Sequence, residues 1–114
     1  MSRDEPAGER VYTDDERWIV IGGRRWRRTD PVLPVETVEA LQGHLGRARA
    51  SVGAAKRTGD GERMAAARVR VGLAKRGLGE RGPKWWEIAE PERLAQAREA
   101  LAELDREPDS PPDE

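Results

Sequence analysis

Apolar residues in this chain alternate spacings of three and four through two neighbouring stretches, and the alternation resumes across a turn. Val38, Leu41, Leu45, Ala48, Val52 and Ala55 carry the first run; after Thr58-Gly59-Asp60-Gly61 it continues at Met64, Ala67, Val71, Ala74 and Leu78. Such spacing gives each helix one narrow apolar seam. The short break between them predicts an antiparallel helical hairpin, with helices over residues 35–56 and 62–76. Glu90-Pro91 opens a third helix over 91–104, with Leu94, Ala97, Leu101 and Leu104 at the same spacing. Gly43, Gly46 and Gly53 each cost the first helix about 1 kcal/mol relative to Ala, and are read as points where a partner helix approaches closely.

Ahead of the helices, Arg17-Trp18-Ile19-Val20-Ile21 is β-prone, and Gly22-Gly23 separates it from Arg24-Arg25-Trp26-Arg27-Arg28. Two glycines that tolerate positive φ predict a two-residue β-hairpin over 17–28. Its register pairs Ile21 with Arg24, Ile19 with Trp26, and Trp18 with Arg27. Pleating then places Ile19, Ile21 and Trp26 on one face, and Trp18, Val20, Arg25 and Arg27 on the other. A lone hairpin is marginal in water, so the Ile19/Trp26 face is expected to lie on the helices. A stripe of Val69 and Leu73 beside Arg76 is its expected seat. The predicted fold class is α+β, mainly α: an N-terminal β-hairpin packed on an antiparallel helical hairpin plus a third C-terminal helix.

The 114 residues bound the chain to one domain. With 38% charged and 36% hydrophobic residues and no Phe, it can bury only a modest core. Residues 16–104 read as that domain, flanked by disordered acidic ends over 1–15 and 105–114. No Cys is present, which excludes a disulfide framework, thiol chemistry and cysteinyl zinc sites. No apolar run approaches the ~18 residues of a membrane helix, and residues 1–16 lack the apolar core of a secretion signal. A cytoplasmic location without a membrane partner is the expectation. Residues 1–16 hold two Arg against six acids and 103–114 hold one Arg against six acids, leaving 18 Lys/Arg against 10 acids between them. That pattern suits an anion-binding body with competing tails, or an arginine-rich solvated surface with soluble ends.

Two segments flank the Ala/Arg-rich helical pair: Gly23-Arg24-Arg25-Trp26-Arg27-Arg28-Thr29-Asp30-Pro31 and Leu78-Gly79-Glu80-Arg81-Gly82-Pro83-Lys84-Trp85-Trp86-Glu87. The combination resembles a family of small, uncharacterised bacterial proteins from high-GC genomes, which join a GRRWR-T-DP segment to an LGERG-x-WWE segment. The resemblance covers about residues 17–88. It implies the fold and no established activity.

Arg24, Arg25, Arg27 and Arg28, with Trp18 beside them, are the candidate anion or nucleic-acid site, since guanidinium groups pair with phosphate and aromatic rings stack on bases. Alternatively Trp26 plugs the core, the arginines pair with Glu36, Glu39, Glu80 or Glu87, and Arg27 stacks on Trp18. Lys84, Trp85 and Trp86 are the candidate protein interface, because Trp is enriched at binding hot spots. His44 is the single histidine and reads as solvated or at a boundary, with no Cys or second His to complete a metal site. Paired acids such as Asp14-Asp15 or Glu90/Glu92 sit in tails or first helical turns, where they suit the helix dipole. No catalytic, metal or cofactor-binding residues and no small-molecule substrate are expected. The expected function is a non-catalytic interaction module that binds a protein partner or itself through helical seams and a Trp edge. The alternative is a weak nucleic-acid-associated protein using the Arg/Trp hairpin.

Overall fold

A computed structural model describes residues 11–106. The expected disorder of residues 1–10 and 107–114 lies outside the described residues. Strand β1 spans Val11–Tyr12, β2 Trp18–Ile21 and β3 Arg24–Arg27. Helix α1 runs Val35–Thr58, α2 Gly61–Gly77 and α3 Glu90–Arg106, with a 3-10 turn at Trp85–Glu87 before α3. The α+β, mainly α architecture read from the sequence is the architecture of the chain.

The hairpin forms in the expected register, Ile21 opposite Arg24, Ile19 opposite Trp26 and Trp18 opposite Arg27. Gly22 and Gly23 take φ of 58° and 81°, the left-handed pair that a two-residue turn needs. A third strand joins it, because Val11 pairs with Val20 and Tyr12 with Ile19 in antiparallel order. Those two residues fall in the stretch read as disordered; a pair of residues carries no periodicity that the sequence could reveal. The turn leading into β2 is held by Asp15, whose carboxylate accepts from the Thr13 hydroxyl (2.6 Å) and the Arg17 backbone N–H (3.1 Å). These bonds lower the Asp15 pKa below its ordinary value, the Thr13 bond most.

Between α1 and α2 the chain reverses through a helix-ending bond pattern: Asp60 N–H donates to Ala55 O and Gly59 N–H to Lys56 O. Asp60 then caps α2 by accepting from the Arg63 N–H. Leu41, Leu45, Ala48 and Ala55 of the first seam are buried, as are Ala67, Ala74 and Leu78 of the second. Leu41, Leu78 and Leu104 are the largest fully buried side chains, each worth about 1.5–3 kcal/mol of transfer energy. They meet Leu33, Leu45, Ala74, Ala97 and Ala100 in one core.

Two details of the helix packing differ from expectation. Gly43 and Gly53 face only the Arg47 and Arg57 side chains, and Gly46 faces open space. The close approach occurs instead at Gly77, where a Cβ would stand 2.9 Å from Ala100 Cβ and 3.1 Å from Leu41 Cδ2. In addition, Arg70 is buried on α2, rotating that helix's buried face toward Arg70, Ala74 and Gly77. The Arg70 guanidinium donates to Leu104 O at 3.1 Å and lies 3.3 Å from His44 Nδ1. Arg47 reaches the same Nδ1 at 3.2 Å. Guanidinium groups only donate, so Nδ1 accepts and His44 Nε2–H donates to Asp105 Oδ1 at 2.8 Å. His44, read as solvated or at a boundary, is therefore buried in a polar cluster joining α1, α2 and the end of α3.

Candidate functional site

The two motif segments meet, and each supplies what the other lacks. Helix α2 ends with Gly79 N–H on Arg76 O and Glu80 N–H on Lys75 O, and Gly79 adopts φ +80°. A side chain at Gly79 would strike Asp30 Cβ at 3.0 Å and Trp85 Cδ1 at 3.1 Å, so this loop sits between the two segments. Asp30 N–H donates to Leu78 O (2.9 Å), Trp85 Nε1–H to Arg28 O (2.9 Å) and the Thr29 hydroxyl to Glu80 Oε2 (2.5 Å). Arg27 Nη1 reaches the carbonyls of Gly79, Gly82 and Pro83 at 3.3, 2.9 and 3.2 Å. The loop carbonyls therefore hold the guanidinium that the sequence offered to phosphate.

Asp30 is 3% exposed and forms the deepest ion pair of this region. Its carboxylate accepts from Arg93 Nη2 and Nε at 2.5 and 2.8 Å, and from the Val32 N–H at 3.0 Å. The hydrogen bond to Asp30 raises the Arg93 pKa against the opposing effect of burial. Asp30 thus ties the strand exit to α3, and α1 begins at Val35 after Pro34, at the start read from the sequence. Sequence reading misses this pair because 63 residues separate its members.

The tryptophans stack edge to face across the same junction. Trp85 and Trp86 have ring centroids 5.2 Å apart at 87°, and Trp18 meets Trp86 at 5.6 Å and 64°. Trp85 is buried and Trp86 half-buried, leaving Lys84 as the exposed member of the proposed protein-binding trio. Arg25 lies 4.7 Å above Trp18, Arg27 5.8 Å and Arg17 5.0 Å from Trp86, and Arg93 5.1 Å from Trp85. The expected Arg27–Trp18 contact is replaced by Arg25 on Trp18. Arg28 lies over Tyr12 and pairs with Glu16 rather than with the helix acids.

Consequently the sheet does not sit on the Val69/Leu73 stripe. It docks on the loop after α2 through Trp18 and Arg27, while Ile19 is buried on its opposite face. An open groove of about 400 Å³ lies on that side, between Tyr12 and Ile19 of the sheet, Leu33 ahead of α1 and Val38 in its first turn. Trp26, expected in the core, is 43% exposed under the Arg24 guanidinium.

The vacated stripe lines a larger groove, about 670 Å³, between α2 and α3. Val69 (68% exposed), Leu73 and Ala100 give it an apolar centre. Its α2 bank is basic, with Arg68 and Arg76 joined by Arg81 from the following loop, and its α3 bank is acidic, with Glu99 and Glu103. Among the described residues no ion pair joins the two banks; Glu103 pairs with Arg106 on its own helix.

Among the described residues no group of three or more His, Asp or Glu is placed to hold a metal ion. No described helix is long and apolar enough to cross a membrane. Comparison with family models, with curated proteins and with solved structures finds no match.

Proposed function

We propose that this chain is a non-catalytic protein-interaction module whose docking face is the α2–α3 groove. One observation carries the reading: exposed Val69 and half-buried Leu73 line a groove between two charged banks of opposite sign that do not pair with each other. An apolar strip rimmed by charges that do not pair across it is the composition of a docking surface. At the Trp edge, by contrast, Trp85 is buried and Trp86 half-buried against Trp18, which leaves less open apolar surface there than Val69 offers in the groove.

Arg24 and Arg25 support a second reading, weak nucleic-acid association. Both are exposed, and a guanidinium stacked on a ring keeps its N–H edge available to phosphate. The same stacking covers one face of Trp26 and of Trp18 that a base would use, which favours the protein reading.

A photo-crosslinking amino acid placed at position 69, with position 98 on the exposed side of α3 as control, tests the proposal in producing cells. A discrete adduct at 69 alone is expected, and the purified adduct partner is expected to lose binding to Leu73→Asp. Equal labelling at both positions, or no adduct, would overturn the reading.

A further inference from the structure

Resting on that reading, we infer that the occupant of the groove is a second copy of this chain, related by a two-fold axis that runs along the groove. The inference comes from the arrangement of charge. Helices α2 and α3 run antiparallel at fixed heights, set by Gly77 against Ala100 and by Arg70 on Leu104 O. Arg76, next to Gly77, is therefore level with Glu99, next to Ala100. A two-fold axis along the groove preserves every height and exchanges the banks. It sets Arg76 of one copy against Glu99 of the other, twice, and brings the apolar strips of Val69 and Leu73 together. An axis across the groove sets arginine against arginine and glutamate against glutamate, which repels. A closed, isologous pair follows from the first arrangement alone.

The surface explains why these charges are free to pair outward. Arg68 and Arg76 are exposed, and neither they nor Glu99 make an ion pair within the described residues. Glu103 does pair with Arg106, but that contact is exposed and short-range along one helix, so it competes weakly. A groove with two turns of helix on each bank makes a small interface, so the dimer exchanges rapidly with monomer. Its charged rim also makes it weaker in salt.

Sedimentation velocity on the full chain tests the axis directly. Wild type is expected to shift from monomer toward dimer as concentration rises, with the shift reduced at high salt. Arg68→Glu/Arg76→Glu makes both banks acidic, and Glu99→Lys/Glu103→Lys makes both basic. Each variant alone is expected to associate at least about tenfold more weakly than wild type, while an equimolar mixture of the two restores the dimer. Circular dichroism establishes that both variants remain folded. A wild-type monomer up to about 1 mM, far above the weak interfaces of this size class, would overturn the inference. So would a dimer that survives in each variant alone, or a mixture that stays monomeric. Crosslinking at position 69 separates this failure from that of the broader reading. An adduct with a different protein removes the second copy and keeps the interaction module, whereas the absence of any adduct removes both.

Discussion

Replacing Asp30 by Asn removes the charge from a buried carboxylate while keeping an oxygen in place for the Val32 N–H. The loss falls on Arg93. Its side chain is 12% exposed against 3% for Asp30, and two charge-assisted bonds of 2.5 and 2.8 Å become at best one bond to a neutral amide. Breaking a buried pair by removing one partner costs about 3–5 kcal/mol, because the remaining charge stays desolvated. Arg93 retains some solvent contact and the face of Trp85, which places the expected cost at the lower end, about 3 kcal/mol. For a domain of this length that lowers Tm by about 12 °C or more. Urea unfolding followed by tryptophan fluorescence and far-ultraviolet circular dichroism measures it. Asp30→Asn combined with Arg93→Met should be more stable than Asp30→Asn alone, since the second change removes the stranded charge. A loss under about 1 kcal/mol, the level of an exposed ion pair, or a double variant no better than the single, would refute the reasoning. The sign of its pH dependence follows from the raised Arg93 pKa. That contribution is fully present below the ordinary guanidinium range and is lost only as pH rises through the raised value.

Gly77→Ala gains helix propensity of about 1 kcal/mol, yet its Cβ would stand 2.9 Å from Ala100 Cβ with Leu41 also in the way. A net destabilisation of about 1–2 kcal/mol is expected in denaturant, and a stabilised variant would contradict the packing. The Asp15 carboxyl should titrate below its ordinary 3.8 by NMR. Its contribution to the β1–β2 turn is then present above 3.8 and lost as pH falls through the depressed value, and Thr13→Val should move the midpoint back up. Short single- and double-stranded DNA should leave the tryptophan fluorescence unchanged even at low salt. A salt-sensitive response abolished by Arg24→Ala/Arg25→Ala would move the function to nucleic acid.

Local rules carried most of the fold. The apolar seam located α1 and α2, Thr58-Gly59-Asp60-Gly61 located the turn, and Gly22-Gly23 set the hairpin register to the residue. Each of these is decided by neighbours in sequence. What the sequence left open was decided between distant segments. Alternation along β2 and β3 separates Trp26 from Trp18, but it cannot say which face meets the body. That choice falls to Arg27 on the carbonyls of Gly79, Gly82 and Pro83, and to Trp18 on Trp86. Arg70 stands next to seam residue Val71, and the partners that bury it, Leu104 O and His44, come from two other helices. Arg27, Trp18 and Trp85 thus join the sheet to the helices, while Arg24 and Arg25 stay exposed. The groove was legible only as a leftover stripe, Val69 with Leu73, whose acidic bank lies on another helix.

The central claim is a division of labour, with Arg27 holding the fold and Val69 serving the interface. It is tested most directly by measuring unfolding and self-association side by side for Arg27→Gln and Val69→Asp. Arg27→Gln should lose about 1.5–3 kcal/mol of stability, the range for bonds to a charged group, while its association stays within about twofold of wild type, under 0.5 kcal/mol. Val69→Asp, at a position 68% exposed, should keep its stability to within about 0.5 kcal/mol and lose association. A crossed result, with Arg27→Gln abolishing association in a stable fold or Val69→Asp leaving the dimer intact, would contradict it.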